Sequence, residues 1–370
     1  MADFNLKTLY GALGELLSSI APDIESVRKL DAEMTDLKLS TNATTKELKD
    51  FYYSSAETAK QLGRATQEVM SQTNEWAKLG YGIKEAAKLA KNSMIFDSIS
   101  PTLDIGTATS SLSNALKAFR LDAAETLDGI ISKINVIGNT GALSNGDIAD
   151  ILNNSSDAMS RANNTLEETI ALSVAASDAV SDTSIIGETL ESVAANIQEK
   201  DTLIKELTQT ASSPGGITLF TDENNETFKS TYQILSDISS VWDNMDTDSR
   251  ELLIDSLGVE ENKDVLSSMI TDFDTARNSM DLMAGSSGSA MQSMNEVYDS
   301  LDYKLNRLSE TGTKITRNLF GGGEMKAAVD GINSVGNAVE WITDKLGLLV
   351  TIGTGAGLFA GIQNIGRAQC

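Results

Sequence analysis

The sequence predicts an all-α protein: elongated helical hairpins or a bundle, with coiled-coil-like segments and a C-terminal apolar, glycine-rich helix. Three observations carry this. Apolar residues recur at spacings of three and four along most of the chain. Ser or Thr followed three positions on by an acid, a capping-box start, recurs before these runs. Proline is 3 in 370 and aromatics are 5%, too few for a sandwich or barrel built from turns and β-branched strands.

The composition also excludes chemistry. With no histidine there is no His-based triad, no His-ligated zinc and no His general base. The one cysteine is Cys370, which allows neither an intrachain disulfide nor a thiolate cluster. The net charge is −24, and residues 101–300 carry 10 basic against 33 acidic side chains. Such a body lacks the basic stripe that a polyanion needs, so no direct nucleic-acid readout is expected.

Taken in order, the opening Met1-Ala-Asp-Phe-Asn has neither the basic nor the apolar part of a secretory leader, so none is expected. A short helix is predicted to about Ser19, ended by Pro22. Val27, Leu30, Met34 and Leu37 place an amphipathic helix over 23–40, broken at Ser40-Thr41-Asn42. Thr44-x-x-Glu47 starts the next, which runs to about Leu62. A further helix carries Val69, Met70 and Trp76, Gly80-Tyr81-Gly82 turns, and Ile83–Met94 is helical again. Ser100 before Pro101 reads as an N-cap with proline at the first helical position.

Residues 112–137 give the best helical signal: Leu116, Phe119, Ala123, Leu127, Ile130, Ile134 and Ile137 form one stripe. Gly138-Asn139-Thr140-Gly141 stops it, and Ser144-x-x-Asp147 and Thr165-x-x-Glu168 start two more helices. Ile185-Ile186-Gly187 leads into Leu190, Val193 and Ile197. Pro214 lies in the clearest loop, followed by the one strand-like run, 216–222. Helices resume at Phe228–Trp242, Ser249–Leu257, Lys263–Met283 and Ala290–Leu308. Leu301, Leu305, Leu308, Ile315 and Leu319, with Gly312 in one slot, make a heptad-like stripe. Four regions follow: 1–100 N-terminal helical, 101–213 acidic core, 214–345 second helical with the heptad-like stripe, and 346–370 apolar and glycine-rich.

Leu346–Gly366 is 21 residues without a charge, roughly 30 Å as a helix. Gly353, Gly357 and Gly361 recur every four residues, a face that favours close helix packing. Two readings stay open: a buried helix of an assembly, or a membrane-active transmembrane helix. No C-cap follows this helix before Cys370, so a truncated chain or a fragment of a longer one is expected.

Other motifs fail on detail. Gly353-x-Gly355-x-Gly357 imitates a dinucleotide loop, but Leu358 stands at its sixth position. Asp243-x-x-Asp246-x-Asp248 lacks the glycine and final glutamate of a calcium loop. Glu167-Glu168 and Glu260-Glu261 are adjacent, so they do not face each other on a helix. No catalytic, cofactor-binding or metal residues are expected, and no enzyme.

From about residue 45 to 360, the order of the pieces resembles the core region of bacteriophage tail tape measure proteins, of the kind found in long-tailed phages of Gram-positive hosts. The pieces are Leu62-Gly63-Arg64-Ala65-Thr66, Glu75 to Ala86, Leu116 to Asp122, Ser144 to Ala149, Gly187-Glu188-Thr189-Leu190, Gly216 to Phe220 and Ile234 to Ile238. The resemblance implies a structural protein of the virion tail lumen. It would set tail length, scaffold tube assembly and leave at DNA ejection. Its implied partners are the tail tube protein, tail assembly chaperones and tail-tip (distal tail) proteins. Self-association in several copies is expected, with the host cytoplasm as the place of assembly and the host membrane as a station at infection. Length is a departure from the family: as one continuous helix 370 residues would reach at most about 550 Å, which would suit only a short tail. The alternative from the residues alone is a secreted helical pore-forming toxin or export substrate; tail genes or secretion genes beside it would separate the two.

Overall fold

A computed structural model describes residues 28–210, 213–222, 227–258, 262–300 and Tyr303. The chain forms two units. One is Met1–Ala32 with Leu308–Cys370, of which only residues 28–32 are described; the other is Glu33–Arg307. The expected boundaries at 101 and 214 fall inside the second unit. The expected helix before Pro22, the heptad-like stripe (Leu301, Leu305, Leu308, Ile315, Leu319) and the glycine face (Gly353, Gly357, Gly361) lie outside the described residues.

The fold is all-α. Helix α1 is described over 28–41. It is followed by α2 (Thr45–Leu62), α3 (Thr66–Lys78), α4 (Ile83–Ser98), α5 (Ile105–Ala118), α6 (Ser132–Gly138), α7 (Asn145–Arg161), α8 (Leu166–Ser177) and α9 (Thr183–Glu199). Then come α10 (Asp201–Leu207), α11 (Thr231–Val241), α12 (Thr247–Leu257), α13 (Lys263–Thr271), α14 (Asp274–Ala284) and α15 (Ser289–Asp299). The strand-like run gives only an isolated antiparallel bridge, Phe220 to Phe228.

Local chemistry sets most of the starts. Thr44/Glu47, Ser144/Asp147 and Thr165/Glu168 each close a two-way capping box, as does Ser230/Gln233, a box the sequence reading passed over. Gly63 closes α2 in the left-handed conformation.

Four expected helices are placed differently. Asp104, not Ser100, caps α5, because its carboxylate accepts from both the Gly106 and Thr107 N–H groups. The run 112–137 is not one helix. Arg120 turns left-handed at φ 53, the Leu121 N–H closes back on the Leu116 carbonyl, and Asp122 caps a fresh 3₁₀ turn, Ala123–Glu125. A π-helical segment, Thr126–Ile131, then leads into α6; its wider turn lets Thr126, Ile130 and Ile131 all face inward. The helix expected over Lys263–Met283 breaks at Asp272-Phe273, where the turn buries the Phe273 ring against Tyr232, 5.0 Å between centroids. The helix expected over Ala290–Leu308 ends at Asp299, because Ser300 is extended.

The core is layered around α8, whose residues from Leu166 to Ala176 are buried apart from Glu167. It packs against α7, α9, α13 and α14. Buried Ile and Leu side chains such as Ile170, Leu172, Ile151 and Leu190 supply about 1.5–3 kcal/mol each. Many interior polar residues are Ser and Thr whose hydroxyl bonds the carbonyl four residues back on the same helix. Examples are Ser55 to Phe51, Ser93 to Leu89, Ser155 to Ile151 and Thr189 to Ile185. The longest helix with both ends described, α2, has 18 residues, about 27 Å. The described body therefore folds back on itself repeatedly rather than extending as one rod.

Candidate functional site

The expected core stripe is divided by the break at Arg120. Leu116 is buried on α5 and Phe119 is half-buried at its C-cap. Leu127 (half-buried) and Ile130 (buried) lie on the π-helical segment, and Ile134 and Ile137 are buried on α6. These residues line the interior of the body.

The most elaborate junction in the body is the seat of α15, and sequence reasoning missed it. Ala59, Leu62, Val69, Met94 and Ile95, from α2, α3 and α4, form a buried apolar floor that closes around Met294 of α15. Met291, Val297 and Tyr298 pack on the same cluster, beside Leu127. Polar contacts fix the register. Asn135 Nδ2 donates to Ser289 Oγ (2.7 Å) and Ser293 Oγ (3.0 Å). The Gly288 N–H donates to Asp128 Oδ1 (3.1 Å) and the Ala290 N–H to Ser132 Oγ (3.3 Å). The π-helical segment and α6 thus satisfy the open N-terminal end of α15. Behind Asn135, Asn145 Nδ2 donates to Asn135 Oδ1 (3.3 Å) and Ser100 Oγ (3.0 Å). Gly138 makes room for it: a Cβ there would stand 2.0 Å from Asn145 Oδ1. Beyond the helix, Tyr303 stacks on Tyr298, 4.8 Å between centroids, and its hydroxyl donates to the Gln61 carbonyl at 2.6 Å.

A second joint ties α8 to α11. Glu168, 8% exposed, accepts from the Thr165 N–H (2.9 Å) and from the Ser230 hydroxyl (2.9 Å). Asn164 Nδ2 donates to Thr231 Oγ1 (3.0 Å), and Asn164 Oδ1 accepts from the Tyr232 N–H (3.0 Å). Glu167, the neighbouring acid, points elsewhere and pairs with Lys133. Burial pushes its carboxyl up, but the Lys133 hydrogen bond and charge outweigh this and hold it below the usual carboxylate value. Asp150 is raised by burial and then by Asp147 and Asp104. Burial likewise raises the phenols of Tyr81, Tyr232 and Tyr298.

A groove of about 340 Å³ between α3 and α5 is lined by Gln72, Glu75, Lys78, Leu79, Thr109, Asn114 and Lys117 among others. Lys78 is already paired there with Glu75 at 2.7 Å. Asp246, from the calcium-like run, caps α12 by accepting from the Ser249 N–H. Among the described residues no His/Cys/Asp/Glu group could hold a metal ion, and no helix is long and apolar enough to cross a membrane. The segment 346–366 lies outside those residues.

The described body is thus an all-α protein whose helices are joined by buried Asn, Ser, Thr and Glu side chains. The chain belongs to the family of phage-related minor tail proteins, whose model matches residues 56–258, more than half of its length and α2 to α12 of the fold. It is thus a structural component of a phage tail that associates with other tail components. No solved structure matches the chain.

Proposed function

We propose that the protein is a tape measure protein: it occupies the tail lumen, sets tail length, scaffolds the tail tube and leaves at DNA ejection. The observation that carries this is a coincidence of two signals. The quoted pieces of the tape measure resemblance, from Leu62 to Ile238, fall inside the residues matched by the minor tail family, although the resemblance itself runs further, over about 45–360. The partners of this reading are the tail tube protein, the assembly chaperones and the tail-tip proteins, with several copies side by side. Assembly takes place in the host cytoplasm, and Leu346–Gly366 meets the host membrane at infection. It acts without catalysis and without reading nucleic acid. The family match gives no support to the pore-forming or export reading.

The folded body bears on how a ruler would work. Its helices reverse direction at short turns, so residues 33–307 add little length as packed. In-frame deletions and insertions within 308–345 should therefore rescale the tail, by about 1.5 Å per residue where that chain is helical in the tail. Deleting 112–137 removes the buried Leu112, Leu116, Ile130, Ile131, Ile134 and Ile137, and should abolish tails rather than shorten them. Electron microscopy of phage carrying each change is the test. Viable particles with unchanged tails across the 308–345 series would remove the ruler.

A further inference from the structure

The helix seat described above has properties of a site that accepts a separable part. Helix α15 is shallowly buried: of Ser289–Asp299 only Ala290 and Met294 are fully covered. Its floor, in contrast, is completely buried and apolar, with Ala59, Leu62, Val69, Met94 and Ile95 each at most 3% exposed. The floor lies within the residues matched by the family, whereas α15 lies outside them. On its N-terminal side α15 is tethered by four residues, Gly285-Ser286-Ser287-Gly288, with Gly288 at φ 82. Methionines meet across the contact, Met94 from below and Met294 and Met291 from above, and such side chains re-pack at little cost.

We propose that this groove is a helix-binding site whose other occupant is the α15 of a second copy, so that copies join by exchanging that helix. The seated surface is the same in either arrangement. Asn135 meets Ser289 and Ser293, Asp128 and Ser132 meet the first turn, and Tyr303 meets Gln61, whichever chain donates the helix. Exchange therefore needs no new complementary surface; it requires only that the four-residue tether open, which makes it a low-cost route to association. The polar contacts fix one register, since a shift along the groove would leave the buried Asn135 amide without its two hydroxyl partners. The chain beyond Tyr303 would travel with the exchanged helix. This inference does not rest on the lumen or ruler reading.

The test is cross-linking between chains of the full-length protein, each carrying Cys370→Ser. One chain carries Asn135→Cys and the other, with a different tag, carries Ser289→Cys; the two are co-expressed and oxidised. Asn135 is 1% exposed, so a thiol there is reached only by a helix in the seat. A disulfide between the two differently tagged chains is the expected result, with none when the second cysteine is placed at the exposed Asn295 instead. Deleting Ser286 and Ser287, which hinders closure within one chain, should raise the interchain product several-fold and give a dimer by light scattering. A single chain carrying both cysteines tests the seat itself. Cross-linking in that chain alone, with none between chains and a monomeric loop-shortened form, overturns the proposal. Absence of cross-linking in both cases overturns it too, because α15 is then not in the groove.

Discussion

The ring of Tyr303 lies against the Cα of Gly63, so close that a Cβ at residue 63 would stand 2.7 Å from Tyr303 Cδ2. Gly63 also holds φ 65 as the C-cap of α2. Gly63→Ala should then carry two costs, about 1–2 kcal/mol for the left-handed backbone and a further amount for the ring. Urea unfolding of Gly63→Ala, Tyr303→Ala and the double variant separates them. The ring part should vanish in the Tyr303→Ala background while the backbone part remains. Additive effects would mean that the ring does not press on residue 63.

Glu168 serves two helices at once, closing its own capping box and holding the Ser230 hydroxyl that in turn accepts from the Gln233 N–H. Glu168→Ala should destabilise by about 1–3 kcal/mol, because a buried hydroxyl and an N-cap lose an acceptor together. Glu168→Gln keeps one acceptor oxygen and should cost less. Equal denaturation midpoints for the two variants would contradict this joint.

The Lys133–Glu167 pair predicts an acid-sensitive contribution. The Glu167 carboxyl is held below its unperturbed 4.5 in the folded chain. A depressed folded value stabilises the fold at pH above about 4.5, and this is lost as the pH falls through that lower value. Asp150 works the other way: raised by burial and by Asp147 and Asp104, its ionisation costs stability as pH rises. The informative quantity is hence the difference in urea midpoint between wild type and Lys133→Met. It should be clear at pH 7 and shrink toward pH 3.

Arg120 takes a left-handed φ of 53 at the break after α5, with its side chain exposed. Arg120→Gly should relieve that strain and stabilise by about 0.5–1 kcal/mol. Asn163, at φ 62, is the contrast. Its Nδ2 donates to the Phe228 carbonyl at 3.1 Å, so Asn163→Gly should gain less or lose. Thermal melts of both variants decide this.

These positions show what was legible in the chain. Thr44/Glu47, Ser144/Asp147 and Thr165/Glu168 were readable because a capping box is a contact between residues three apart. The break at Arg120 was not. Leu116, Phe119 and Ala123 keep helical spacing straight across it, and periodicity does not register one left-handed residue. Asp122 with Glu125 was the available signal, a helix start hidden inside an apolar run. The seat of α15 was beyond reach for another reason. Asn135 and Ser289 are 154 positions apart, and nothing local to either announces the other. That the chain is a phage tail protein was legible from the order of motifs, although no one of them is distinctive; the tape measure reading is finer than the family match.

The self-bonded hydroxyls of the interior bear on how this body yields to force. A serine such as Ser155 or Ser55 carries its acceptor with it, on its own helix. When that helix moves, such a hydroxyl stays satisfied, so it adds little resistance beyond the gradual loss of apolar contact around it. The joints at Glu168–Ser230 and Asn135–Ser289 behave differently, since each must snap across two helices. Under tension the body should come apart in a series of yield points set by such inter-helix bonds, with compliant helix peeling between them.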